Sequence, residues 1–460
     1  MRLRRVDLTF VLVMVAVLLA PTSPAQEAPQ AVSLTLQQAV NIALEKNPTR
    51  KASLAETKAA SAEMKLAQSA LMPRLTFSET ATRGDDPVYV FGNELRQQRF
   101  TTADFALNKL NTPTPFGNFS TRFGGTWNLF DSFASWHGVT RAKLMNEAVA
   151  YQLDRTDQEI AFRVIAAYHA LWLAGKQLEV AEQATKTAQS ILNNSQARYD
   201  SGLSVESDLL GAKLRIATRQ QELIRATHNV SVAQAELNTA MGVSIDSPLH
   251  QTESLGDRSL PVPVLEDMEK SALTKRPDLK RIQSEDSAQR QNVSIAKSSF
   301  GPRVNAFAGW EMDNPTLLAG GGGNNWVAGI EIQVDIFQGG AKRAELSRQH
   351  ALQERVAALK QAASNGVQLE VRRAYYDMDA SRQQVQVAQA AIAEAQENLR
   401  INQDRYQGGL STITDLLGAE ESARRSQADY WDAVYRYRTS YAALELASGS
   451  LNSQSPVVSQ

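Results

Sequence analysis

The 460-residue sequence predicts an α+β membrane protein in which one unit, a strand pair followed by a long helical hairpin, is written twice. Three observations carry that prediction. A Gly-Leu-Ser turn motif recurs in register, paired segments alternate apolar and polar residues with period two, and two long segments step their apolar residues by threes and fours. Composition excludes several classes. The 48 Lys+Arg balance 49 Asp+Glu, leaving a formal charge of −1 and no basic excess for nucleic acid. The lack of cysteine removes disulfides, thiolate metal sites and cysteine nucleophiles. His137, His169, His228, His250 and His350 lie far apart with no pair at ligand spacing. No metal or cofactor is therefore expected, and no nucleophile–base–acid set marks an enzyme.

The chain opens with Arg2, Arg4 and Arg5, an apolar run over 8–20, and small residues up to Ala25. That order predicts a secretory signal peptide over 1–25, because the run is shorter than the ~17–25 residues a membrane span needs. No later run reaches spanning length, so a mature chain that enters a membrane must do so by closed β-pairing. An exported chain without disulfides fits a bacterial envelope.

The duplication is read from two registers. Arg198, Tyr199, Gly202, Leu203, Ser204, Asp208, Leu209 and Leu210 recur 207 residues later as Arg405, Tyr406, Gly409, Leu410, Ser411, Asp415, Leu416 and Leu417. Upstream the offset is 229, relating Pro48 to Pro277 and Pro73 to Pro302. The fall from 229 to 207 means that the first copy carries 22 extra residues between Pro73 and Phe130. The expected division is a first repeat over 26–248, a connector over 249–263, a second repeat over 264–449 and a flexible tail over 450–460.

Each copy opens with a helix, over 35–71 and 265–299, ending before a proline as helices usually do. Strands follow. Trp326, Ala328, Ile330, Ile332, Val334 and Ile336 alternate with Val327, Gly329, Glu331, Gln333 and Asp335, while Val304, Ala306, Ala308 and Trp310 share one face of the preceding strand. The first copy alternates likewise over 118–129. A sheet packed on a soluble core and a barrel with a lipid-facing exterior both give period two. The signal peptide, and the lack of an apolar layer to cover the strands, favour the barrel. Trp310, Trp326, Ile330 and Ile332 are then expected to face lipid.

Two long helices, over 131–200 and 338–407, come next, each about 105 Å if continuous. Val371, Ala374, Met378, Ser381, Val385, Ala388, Ile392, Ala395, Leu399, Asn402 and Tyr406 step without a break, and the positions 207 earlier do the same. Such spacing packs a helix against neighbours along its length. Gly202 and Gly409 suit left-handed C-terminal caps, and Ser204 and Ser411 suit N-caps of the returning helices. Four strands per chain cannot close a barrel, since known membrane barrels start at about eight. The chain must oligomerise, and two or three copies would both serve.

The doubled strand and long-helix plan with its Arg-Tyr-x-x-Gly-Leu-Ser…Asp-Leu-Leu motif resembles the TolC-like outer-membrane efflux protein family over essentially the whole mature chain. The resemblance implies a homotrimer: a twelve-stranded outer-membrane β-barrel continued by a periplasmic α-helical barrel. It implies passive exit for substrates driven by an inner-membrane efflux or secretion transporter through a periplasmic adaptor. Gly202, Leu203, Ser204, Gly409, Leu410 and Ser411 would form the adaptor-docking tip, and Asp208 and Asp415 the periplasmic gate. Both acids also suit the first turn of a helix, where the dipole favours them. Ser411 and Gly418 depart from the family's latching arginine and second acidic ring. The enlarged loop over 82–117 is expected at the extracellular mouth, where barrel loops are long. The alternative is a periplasmic coiled-coil adaptor or scaffold without a pore, which predicts no lipid-facing strands.

Overall fold

The computed structural model describes residues 32–251, 260–317 and 323–459, so the expected signal peptide and most of the glycine turn over 320–323 lie outside the described residues. In chain order the elements are β1 (Val32–Leu34), α1 (Leu36–Lys46), α2 (Pro48–Ser69), β2 (Arg74–Gly84), α3 (Pro87–Arg96), a 3-10 turn (Thr102–Phe105), α4 (Leu107–Asn111), β3 (Phe116–Phe130) and α5 (Ala134–Asp200). They continue with α6 (Glu206–Met241), β4 (Leu249–Gln251), α7 (Leu265–Lys275), α8 (Pro277–Ser298), β5 (Arg303–Asn314), β6 (Gly323–Gln333), α9 (Ala341–Gln407), α10 (Ile413–Ala447) and α11 (Pro456–Ser459).

The two expected strand pairs form one antiparallel sheet in the order β2-β3-β5-β6. Residues opposite one another share a face, so the register sorts the side chains. Phe77, Phe123, Trp310 and Trp326 lie in one row across all four strands. Rows on the same face hold Leu75, Gly125, Ala308 and Ala328, then Trp127, Ala306 and Ile330, then Val304 and Ile332. The other face carries Thr76, Arg122, Asn305, Glu311 and Glu331 among others. The ladder ends at Gln333, short of the alternation, which runs on to Ile336.

Helices α5 and α9 each run 67 residues, about 100 Å, and occupy equivalent positions 207 apart. They pair with α6 and α10 respectively, and α10 packs on α5, so α9, α10, α5 and α6 form one layer with α9 and α6 at its edges. The heptad positions divide accordingly. On the more enclosed α5, Val164, Leu171, Ala174, Ala181, Ala188 and Ser195 are buried, whereas on α9 only Val371, Met378 and Tyr406 of the corresponding set are.

The expected single helices over 35–71 and 265–299 are each broken in two. Pro48 and Pro277 take the first position of α2 and α8, where their missing N–H costs no bond. The residues before them, Asn47 and Arg276, are extended (ψ 127° and 125°), as a following proline requires. Each break holds the end of its copy's hairpin. Asn47 donates from Nδ2 to the Ala240 carbonyl at 2.9 Å, and Arg276 from Nη1 to the Ala447 carbonyl at 3.0 Å. Gly242 (φ +73°) and Gly449 (φ +71°) turn the chain against these joints. A Cβ on Gly242 would stand 2.6 Å from Cα of Asn47, and one on Gly449 3.0 Å from Cα of Arg276.

The largest core lies at this level, where α1 and α7 pack on α5 and α9. It contains Leu34, Val40, Ile165, Tyr168, Leu237, Val371, Met378 and Leu444, and each such aliphatic side chain contributes roughly 1.5–3 kcal/mol on burial. Two expectations are corrected here. The connector contributes a strand, because β4 pairs in parallel with β1. The tail is not free: Leu451, Val457 and Val458 are almost wholly buried in the same core. Burial of these three side chains, roughly 1.5–3 kcal/mol each, offsets part of the cost of ordering the segment.

Candidate functional site

The two hairpin tips lie at the far ends of α5 and α9 from the sheet. Gly202 (φ +69°) and Gly409 (φ +73°) take the left-handed conformation expected of them. The amide of Leu203 donates to the Arg198 carbonyl and that of Leu410 to the Arg405 carbonyl, both at 2.8 Å, which closes each helix end. Leu203 and Leu410 project into solvent, 68% and 73% exposed. The N-caps fall one residue later than expected. They are Val205 and Thr412, not Ser204 and Ser411, because the glycine turn needs one more extended residue before the helix starts.

The caps distinguish the two tips. Thr412 and Asp415 form a capping box: the Asp415 amide donates to Thr412 Oγ1 at 3.2 Å, and Thr412 N and Oγ1 donate to the Asp415 carboxylate at 3.1 and 2.7 Å. The Thr412 hydroxyl and amide hold the Asp415 carboxyl below its ordinary range. Val205 offers no side-chain cap, so Asp208 has no equivalent arrangement. The repeated tyrosines diverge too. Tyr406 is buried beneath the Arg198 guanidinium, which sits 5.1 Å from its ring centre, while Tyr199 is 39% exposed. Arg198 also donates to the Gln407 carbonyl at 3.1 Å, and Ser195 Oγ lies 3.3 Å from the Tyr406 hydroxyl. One tip thus leans on the other.

Farther from the tips, Arg219 on α6 meets Glu420 and Glu421 on α10, with Glu222 completing the cluster. Burial works against the Arg219 charge, but its hydrogen bonds to Glu420, Glu421 and Glu222 outweigh that and raise its pKa. The Glu421 carboxyl, penalised by burial, is nevertheless held down to about 2 by Arg424 and Arg219. Sequence reading missed this cluster, since charges on a long amphipathic helix look like a solvated face. The only available signal was an arginine and a glutamate pair on the two returning helices.

The four strand residues expected on one surface are there together. Trp310 and Trp326 are register partners, and Ile330 and Ile332 follow on the same face of β6, 67% and 70% exposed. The aromatic row is in contact across strands, with Phe77 5.1 Å and Trp310 5.9 Å from Phe123 between ring centres. Among the described residues no group of acids and histidines could hold a metal ion, and no helix is long and apolar enough to cross a membrane.

Residues 39–243 and 269–450 match the family described as outer membrane efflux protein. The chain belongs to that family. Relatives of this efflux protein include the alkaline protease secretion protein AprF of Pseudomonas aeruginosa, 23% identical over 92% of this chain and 86% of AprF. Protein CyaE of Bordetella pertussis is 24% identical over 91% of this chain and 84% of its own length. Among solved structures, CusC superposes with a TM-score of 0.78 at 18% identity, covering 93% of this chain and 95% of CusC. The efflux protein is therefore a channel of the outer membrane with a long periplasmic helical extension, and not an enzyme. The poreless adaptor alternative is set aside by the same membership.

Proposed function

We propose that three copies of the chain close side by side into a twelve-stranded β-barrel in the outer membrane, continued by an α-helical barrel across the periplasm. The observation that carries this reading is the open sheet, whose edge strands β2 and β6 have no further partner among the described strands. In lipid an unpaired edge costs several kcal/mol per backbone group, so closure by neighbouring copies is strongly favoured. The apolar face suits an outside of lipid. The alternation from Trp326 to Ile336 extends about 33 Å along the chain, or about 23 Å at a tilt near 45°, close to the apolar band of such barrels, with the paired ladder itself ending at Gln333. Trp310, Trp326, Ile330 and Ile332 are then lipid-facing, and the polar face lines the lumen. The edge helices support the same packing: α6 exposes Leu210, Leu214 and Ile224, and α9 exposes Leu359, Leu369 and Val387.

The assembly gives passive exit to substrates of a tripartite efflux or type I secretion system. A periplasmic adaptor grips the tips at Gly202, Leu203, Ser204, Gly409, Leu410 and Ser411, and an inner-membrane transporter supplies the energy. Asp208 and Asp415 form the periplasmic gate, where rings of carboxylates favour cations. Particle imaging and mass measurement of the detergent-extracted protein test the assembly. A hollow three-fold cylinder with a membrane-width cap is expected. A soluble rod, or a monomer released without detergent, would overturn the reading.

A further inference from the structure

The segment between β2 and β3, enlarged in the first copy only, is a folded subdomain of α3, the 3-10 turn and α4. Its anchors reach one face of the sheet. Gln97, 2% exposed, donates to the Asn118 side chain at 2.8 Å, and Asn118 donates to the buried Asp313 at 2.6 Å. Arg96 stands 3.6 Å from Glu311, which also holds Arg122 at 2.7 Å. Tyr89 donates to Thr82 at 2.7 Å. Asn118, Asp313, Glu311, Arg122 and Thr82 all belong to the polar face by register. Buried amide–carboxylate bonds of this kind fix a position, because leaving either partner unpaired costs about 1–3 kcal/mol. The backbone at Arg96 also lies so close to β6 that a Cβ on Gly323 would clash with it.

An ordinary hairpin loop projects beyond the end of its strands. This one bends back over the polar face, which is the lumen wall under the reading given above, on which the inference rests. The geometry points to a fixed filter at the outer mouth. Three inserts project inward over the ends of the barrel wall, narrow the opening, and keep large hydrophilic polymers out of the lumen while small solutes pass. The channel's cargo is thereby restricted to molecules that fit between the inserts. The salt-bridged Arg96, Arg122 and Glu311 form part of the rim.

The chain has no cysteine, so introduced thiols report their own accessibility. Thr126→Cys lies on the polar face two same-face positions, about 13 Å, deeper than Arg122, and Leu107→Cys lies on the insert, at a position 76% exposed. Intact cells are treated with a small maleimide or with a polyethylene-glycol maleimide of several kilodaltons. The small reagent should label both positions, and the polymer only Leu107→Cys. Replacing residues 85–115 by Asn-Gly, a turn that joins the register partners Gly84 and Phe116, should let the polymer label Thr126→Cys an order of magnitude faster. Equal polymer labelling with and without the insert overturns the filter. If that variant does not reach the membrane, Arg96→Ala with Gln97→Ala decides: faster polymer labelling supports the filter, and unchanged labelling overturns it. Failure of the polymer to reach Leu107→Cys, or of the small reagent to reach Thr126→Cys, would instead sink the barrel reading and the filter with it.

Discussion

Arg219 on α6 and Glu420 on α10 are joined by two hydrogen bonds, of 3.1 and 2.8 Å, with side chains only 1% and 2% exposed. The pair links the two hairpins of the chain, which otherwise meet chiefly through α5 and α10. Taking two charges out of water is costly, so the pair is a device for position more than for stability. Its loss on one side is another matter, since Glu420 would be left buried with only Arg215, 3.8 Å away.

Arg219→Met is therefore expected to destabilise the protein by about 3 kcal/mol, near the lower end for a broken buried pair because Arg215 offers partial relief. Arg219→Met combined with Glu420→Leu should recover most of that loss. Thermal unfolding of the single and double variants checks both statements.

Ile330→Arg places a charge on the apolar face opposite Ala306, at a cost of roughly 2–4 kcal/mol near the bilayer midplane. The amount of protein assembled in the outer membrane should fall sharply. Glu331→Arg, one residue along and on the other face, should leave it unchanged. A fall for Glu331→Arg with Ile330→Arg unchanged would mean that the faces are reversed.

Leu410→Glu at the tip should weaken adaptor binding without lowering outer-membrane yield, because the side chain is exposed and the backbone is ordinary there. Gly409→Trp should also block docking, but it loads a left-handed residue with a side chain and adds about 1 kcal/mol of strain. Pull-down of the adaptor, set against the yield of each variant, tells these effects apart.

Glu445, buried beneath the C-terminal segment, gives a pH dependence. Burial raises its carboxyl to about 7, with Ser455 acting in the opposite sense. The protonated form is the one the folded chain prefers. Its contribution is fully present below the ordinary glutamate range near 4.5 and lost as pH rises to about 7, by up to about 3 kcal/mol. Stability should thus fall between pH 4.5 and 7 in the wild-type chain, and Glu445→Gln should flatten that slope. Unfolding midpoints across this range are the measurement.

What could be read along the chain was whatever follows from local periodicity. The period of two sorted Trp310, Trp326, Ile330 and Ile332 onto one face, the three-and-four spacing marked α5 and α9, and Gly202 and Gly409 announced the tips. The proline breaks were visible in Pro48 and Pro277, yet helical periodicity continues through them and hides the joint. The tertiary structure decided how the two equivalent tips differ in their surroundings. Tyr406 is buried because Arg198 from the other hairpin covers it, while Tyr199 is 39% exposed within the chain. Pairings between distant segments were equally out of reach: β1 with β4, Arg219 with Glu420, Gln97 with Asn118 and Asp313, and the docked tail around Leu451. Each depends on which side chains arrive at one place from far-apart stretches of chain, and periodicity carries no information about that arrival.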